Sequence, residues 1–164
     1  EAPLTAVFRQ QEKAMGEVHF YHLESQPLQR VLPVLVKKAL ERNWRVVVQA
    51  GSAERVEWLS NELWTFSDDS FLPHGSARDG HGERQPVWIT AGSDAPNRPQ
   101  LRIYLDAVPI VADDRLERII YLFDARDAEA LEAARAEWRR AVSLGQQPVY
   151  WREDEHGRWT RGLG

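Results

Sequence analysis

The chain has 164 residues, 43% of them hydrophobic and 28% charged, which suits one packed core and excludes a disordered tail. A formal net charge of −4, with a pI near 5.8, argues against a protein built mainly to neutralise phosphates. Cysteine is absent, which removes disulfides, thiolate nucleophiles and cysteine-ligated metal together; with no apolar run of about 18 residues, a cytosolic location without a membrane segment is expected.

Residues 1–16, EAPLTAVFRQQEKAMG, lack the apolar centre of a signal peptide, and ordered alternation begins just after Met15. Residues 1–14 are read as an extension or tag, and residues 15–164 as a single domain. Glu17 to Leu23 alternates and is aromatic-rich, so it predicts a strand. Ser25 and Pro27 suit the cap and first turn of a helix, whose stripe is Leu28, Val31, Leu32, Leu35, Val36, Ala39 and Leu40. Pro33 lies inside that stripe and is expected to kink it. Trp44 to Gln49 predicts a second strand, its β-branched run suited to burial on both faces. Ser52 caps a helix in which Val56, Leu59 and Leu63 share a face, and Glu54 and Glu57 complement its positive end.

An irregular stretch follows from Thr65 to Gln85. Strands are predicted at 86–90, 100–106 and 118–123, with a Gly- and Pro-containing loop at 91–99. Asp127 begins a long helix to about Leu144, stopped by Gly145. Val149 to Trp159 reads as a short hairpin turning at Asp154–Gly157. Strands alternating with helices imply an α/β domain with a mostly parallel central sheet flanked by helices, closed by a C-terminal hairpin.

Chemistry is sparse along this frame. The first strand–helix turn, Glu24–Ser25–Gln26–Pro27, has no glycine to admit a pyrophosphate, and the second offers only Gly51–Ser52. His19 and His22 are three apart on a strand and point to opposite faces, so they cannot chelate one ion. His74 and His81, near Asp79 and Glu83, have weak ligand spacing. No nucleophile-elbow motif is present, and Asp68–Asp69 and Asp113–Asp114 suit turns. No catalytic residue, metal ligand or cofactor is assigned.

Two features resist that bland reading. Residues 62–75, ELWTFSDDSFLPHG, gather Trp64, Phe66, Phe71 and Leu72 in a segment without periodicity, stiffened by Pro73; such rings either fold back over the core or anchor a partner. On the last helix, Arg135, Trp138, Arg139 and Val142 share a face. A basic rim around a ring suits an acidic peptide with an apolar end, while the alternative turns Trp138 to the core with Leu131 and Val142 and leaves the arginines in water. Seven tryptophans also keep direct stacking on single-stranded DNA open, against the acidic balance.

FYHL at 20–23, ELW and DDSFLPHG within 62–75, PVWIT at 86–90, RIIYLFD at 118–124, ARAEWRRAVSLG at 134–145 and the closing YW and GRW resemble the chi subunit family of bacterial DNA polymerase III. The resemblance runs from about Glu17 to Trp159. It implies a Rossmann-like domain without a nucleotide site or catalysis of its own. It also implies an adaptor of the replication machinery that joins the clamp loader, through the psi subunit, to the acidic, phenylalanine-ended C-terminal tail of the single-stranded DNA-binding protein. DNA is then met only indirectly, in the nucleoid-associated replisome. By position, Arg135, Trp138 and Arg139 match the tail-binding residues, and Trp64, Phe71 and Pro73 match the apolar surface for psi, which also serves a helicase-like partner. One basic position of the tail site is Leu131 here, so the electrostatic part of the grip is expected to be either weaker or rebuilt by Arg126 or Arg140. The alternatives are a nucleotide-binding α/β enzyme and a direct single-stranded DNA binder.

Overall fold

The computed structural model describes residues 16–64 and 73–162, with Trp64 described by its backbone alone. Strands β1 (Glu17–Leu23), β2 (Val46–Gln49), β3 (Gly75–Ser76), β4 (Val87–Thr90), β5 (Leu101–Tyr104), β6 (Arg118–Asp124), β7 (Val149–Glu153) and β8 (Trp159–Arg161) form one eight-stranded sheet in the order β3-β4-β2-β5-β6-β1-β7-β8. Every neighbouring pair is parallel except β7–β8, which is antiparallel. The helices are α1 (Leu28–Glu41), α2 (Ala53–Trp64) and α3 (Ala128–Ser143).

Alternation along the strands sorts the core into two layers. On one face, Tyr21, Leu23, Val46, Val48, Ile120 and Leu122 pack with Val31, Leu32 and Val36 of α1 and Leu59 and Leu63 of α2. On the other, Val18, Phe20, Tyr104, Tyr121 and Phe123 pack with Leu131, Ala134 and Trp138 of α3. Val46, Val47 and Val48 are fully buried, as a central parallel strand covered on both faces requires.

The local signals for α3 hold in detail. The Asp127 carboxylate accepts from the amides of Glu129 and Ala130, and Gly145 takes the left-handed φ of 84° that ends the helix. Ser52 Oγ accepts from the Arg55 amide at the start of α2.

Elsewhere the expectations change. Ser25 does not cap α1: Pro27 holds the cap position without a side-chain bond, and the Ser25 hydroxyl donates to Glu153 of β7. The α1 helix runs unbroken across Pro33, whose ring is buried. β5 stops at Tyr104, because Leu105 is followed by Asp106 and Ala107 in left-handed conformations (φ 55° and 60°) that no strand accommodates. The stretch read as irregular contains β3, paired with β4, and a 3₁₀ turn at Gly82–Arg84.

Candidate functional site

The groove that matters follows from strand order. Because β7 joins the sheet beyond β1 while α3 packs over β6, the β1–β7 strip beside α3 is left as a depression. Register sets its floor: β6, β1 and β7 place Tyr121, Phe20 and Tyr150 in one row and Phe123, His22 and Arg152 in the next. The cavity over this floor is about 420 Å³, lined by Phe20, His22, Phe123 and Tyr150 below, and by Leu131, Arg135, Trp138 and Arg139 along α3. Arg152 closes the opposite rim.

The floor is a network of edge-on rings. Trp138 meets Phe20 at 5.2 Å and Tyr150 at 5.9 Å between centroids, and His22 stands edge-on to Phe123 at 5.4 Å. His22 Nδ1 is hydrogen-bonded to the Tyr150 hydroxyl, which fixes both rings. Burial holds His22 below the ordinary histidine range, and Arg152 pushes the same way against Glu24 and Glu153. Burial raises the Tyr150 phenol and Glu24 adds to the rise, while Arg152 and Arg135 draw it down.

The two alternative readings of Trp138 thus merge. Its ring packs on the core with Leu131 and also forms a wall of the groove, while Arg135 and Arg139 stand 61% and 66% exposed. Val142 does not join the core: it is 52% exposed.

Neither arginine named to stand in for a charge at Leu131 lies in the cavity. Arg126 is spent on Asp124 at 3.0 Å, and Arg140 donates to the Ile110 carbonyl and pairs with Glu137 at 3.2 Å; neither lines the groove. The third arginine lining the cavity is Arg152. Its place across the cavity from α3 depends on β7 pairing in parallel with β1, a relation across 130 residues that periodicity does not reveal; the available signal is that Tyr150 and Arg152 share a parity in VYWRE.

Of the second surface, Phe71 and the side chain of Trp64 lie outside the described residues. Pro73 is exposed where the chain re-emerges. Next to it, His74 is buried, with Nε2 3.1 Å from both the hydroxyl and the carbonyl oxygen of Ser60 on α2.

A second depression, of about 570 Å³, lies at the carboxyl ends of β1, β5 and β6, where an α/β sheet would receive a nucleotide. Asp106, Asp124, Asp127 and Glu129 line it, and Arg55 is clamped on Asp106 through two hydrogen bonds of 3.1 and 3.2 Å. Such a lining repels phosphate. Among the described residues, four tryptophans that could stack on a base are already engaged: Trp44 lies between Arg42 and Arg118, Arg55 covers Trp58, Trp88 donates to Asp94, and Trp151 stacks near His19 and Tyr21.

Comparison with known proteins gives two concordant matches. Residues 15–148 fit the family model described as "DNA polymerase III chi subunit, HolC". A protein of Rickettsia prowazekii (strain Madrid E), named "Probable DNA polymerase III subunit chi", is 26% identical over 111 residues, covering 68% of this chain and 67% of its relative.

Proposed function

This chain belongs to the DNA polymerase III chi subunit family, and from that premise we propose that it is a non-catalytic adaptor of the replisome with two protein-binding surfaces. One surface is the groove beside α3, which takes the acidic, phenylalanine-ended tail of the single-stranded DNA-binding protein. The other is the segment carrying Trp64, Phe71 and Pro73, which docks the psi subunit of the clamp loader or a helicase-like partner. DNA is reached through these partners, in the cytoplasm.

The observation that carries the reading is the pairing of an aromatic floor with a basic rim in one cavity. Trp138 and Tyr150, backed by the buried Phe20, offer edge and face contacts to an apolar terminal side chain, and Arg135, Arg139 and Arg152 offer planar donors to carboxylates around it. An acidic sequence ending in a ring satisfies both at once. No helix among the described residues is long and apolar enough to cross a membrane.

Fluorescence titration with a short peptide, several aspartates ahead of a carboxyl-terminal phenylalanine, tests the reading. Saturable binding that weakens as salt rises is expected. Absence of binding at low salt would overturn it.

A further inference from the structure

Each arginine on the rim of the groove is already held by an acid of the same chain. Glu132 lies between Arg135 and Arg139, with one carboxylate oxygen 3.6 Å from Arg135 Nη1 and the other 3.6 Å from Arg139 Nη2. Across the groove, Glu24 is 3.4 Å from Arg152 Nη2 and 3.8 Å from His22 Nε2. A carboxylate therefore already stands at each basic wall, and the incoming ligand must take its place.

We propose that Glu24 and Glu132 are internal counter-ions that compete with an acidic ligand for the three arginines of the groove and so set its selectivity. The inference rests on the groove being a site for acidic peptides. Both acids are half-exposed or more, so each self-pair is weak and readily exchanged. A ligand with one carboxylate only trades one exposed ion pair for another and displaces a charge that then repels it. A ligand with several carboxylates and an apolar end replaces the pairs on both walls together and adds burial of its ring on Trp138 and Tyr150. The groove thereby rejects single acids and retains dense ones, without any change of backbone.

The same geometry explains how the arginines coexist. Arg135 and Arg139 are one helical turn apart and would repel each other at i,i+4; Glu132 offsets that repulsion until a ligand does so.

The test is titration of the aspartate-rich, phenylalanine-ended peptide into wild-type protein and into Glu24→Gln, Glu132→Gln and Glu129→Gln variants. Glu129 is on the same helix but lines the carboxyl-edge depression instead, so its variant matches the charge change without touching the groove. Glu24→Gln and Glu132→Gln should each tighten binding about two- to fivefold at low salt, with the gain shrinking as salt rises, and Glu129→Gln should gain less than either. Unchanged affinity overturns the proposal, as does an equal gain in Glu129→Gln, which would reflect net charge alone. Weaker binding by Glu132→Gln also overturns it, since Glu132 would then be orienting the arginines. If wild-type protein itself fails to bind, the peptide-site reading falls and the counter-ion role with it. Binding by wild type with no response in the variants removes only the counter-ion role.

Discussion

Trp138 stands edge-on to Phe20, the ring planes 64° apart and the centroids at 5.2 Å. The indole is therefore at once a strut between α3 and β1 and a wall of the groove, which couples stability to binding at this position. Trp138→Ala should cost about 2 kcal/mol of stability, less than a fully buried ring because the indole is only partly covered. Trp138→Phe should recover most of the stability while keeping a reduced affinity for an apolar-ended peptide. Urea unfolding followed beside peptide titration separates the two effects; full affinity in a folded Trp138→Ala protein would remove the ring from the site.

Removing a rim cation should act on affinity and leave stability nearly untouched. Arg135→Ala and Arg152→Ala are each expected to weaken an acidic, phenylalanine-ended peptide by on the order of 1 kcal/mol at low salt, discounted for solvent exposure. Titration calorimetry on Arg126→Ala, whose charge is held on Asp124 outside the groove, should show no comparable loss. An equal loss in all three variants would mean that net charge, not the groove, governs binding.

The contrast between Arg126 and Arg152 shows where local sequence signals end. Caps, helix stops and the buried Val46–Val48 strand were legible because each is decided by neighbours within a few residues: Asp127 by the amides it accepts from, Gly145 by its φ, the valines by their own β-branching. Arg135, Trp138 and Arg139 line one cavity, as their i, i+3, i+4 spacing on a single helix face leads one to expect. The groove itself needed the strand order, since only the β1–β7 pairing brings Tyr150 and Arg152 beside Phe20 and His22. Ser25 misled for the same reason: its hydroxyl found a carboxylate 128 residues away before it found a helix amide.

The second surface should be separable from the first. Trp64→Ala and Phe71→Ala proteins are expected to keep a cooperative melt and peptide binding in the groove while losing co-elution with psi on size-exclusion chromatography. Unfolding of either variant would assign that ring to the core.

Stability should fall on mild acidification. Burial holds both His19 and His22 below the ordinary value of 6.5, and neutral His19 accepts from the Trp151 indole at 2.8 Å through Nδ1, a bond that protonation removes. The unfolded chain thus takes up protons below about pH 6.5 that the folded chain refuses. The contribution is fully present above that value and is lost as pH drops toward the folded-state values of the two rings. Urea midpoints should decrease between about pH 7.5 and pH 5.5, with a shallower slope in His19→Gln. Depressed carboxylates such as Glu17, Asp94 and Asp124 add their own loss at lower pH. A midpoint that rises on acidification would contradict the neutral, buried state of these histidines.

The adaptor account stands or falls on a pull-down of the single-stranded DNA-binding protein, offered intact and with its acidic, phenylalanine-ended tail removed. Wild-type protein should retain the intact form and release it when Arg135 and Arg152 are both replaced by alanine, and should not retain the tail-less form. Equal retention of the intact and tail-less forms would contradict the account, placing the contact somewhere other than the groove beside α3.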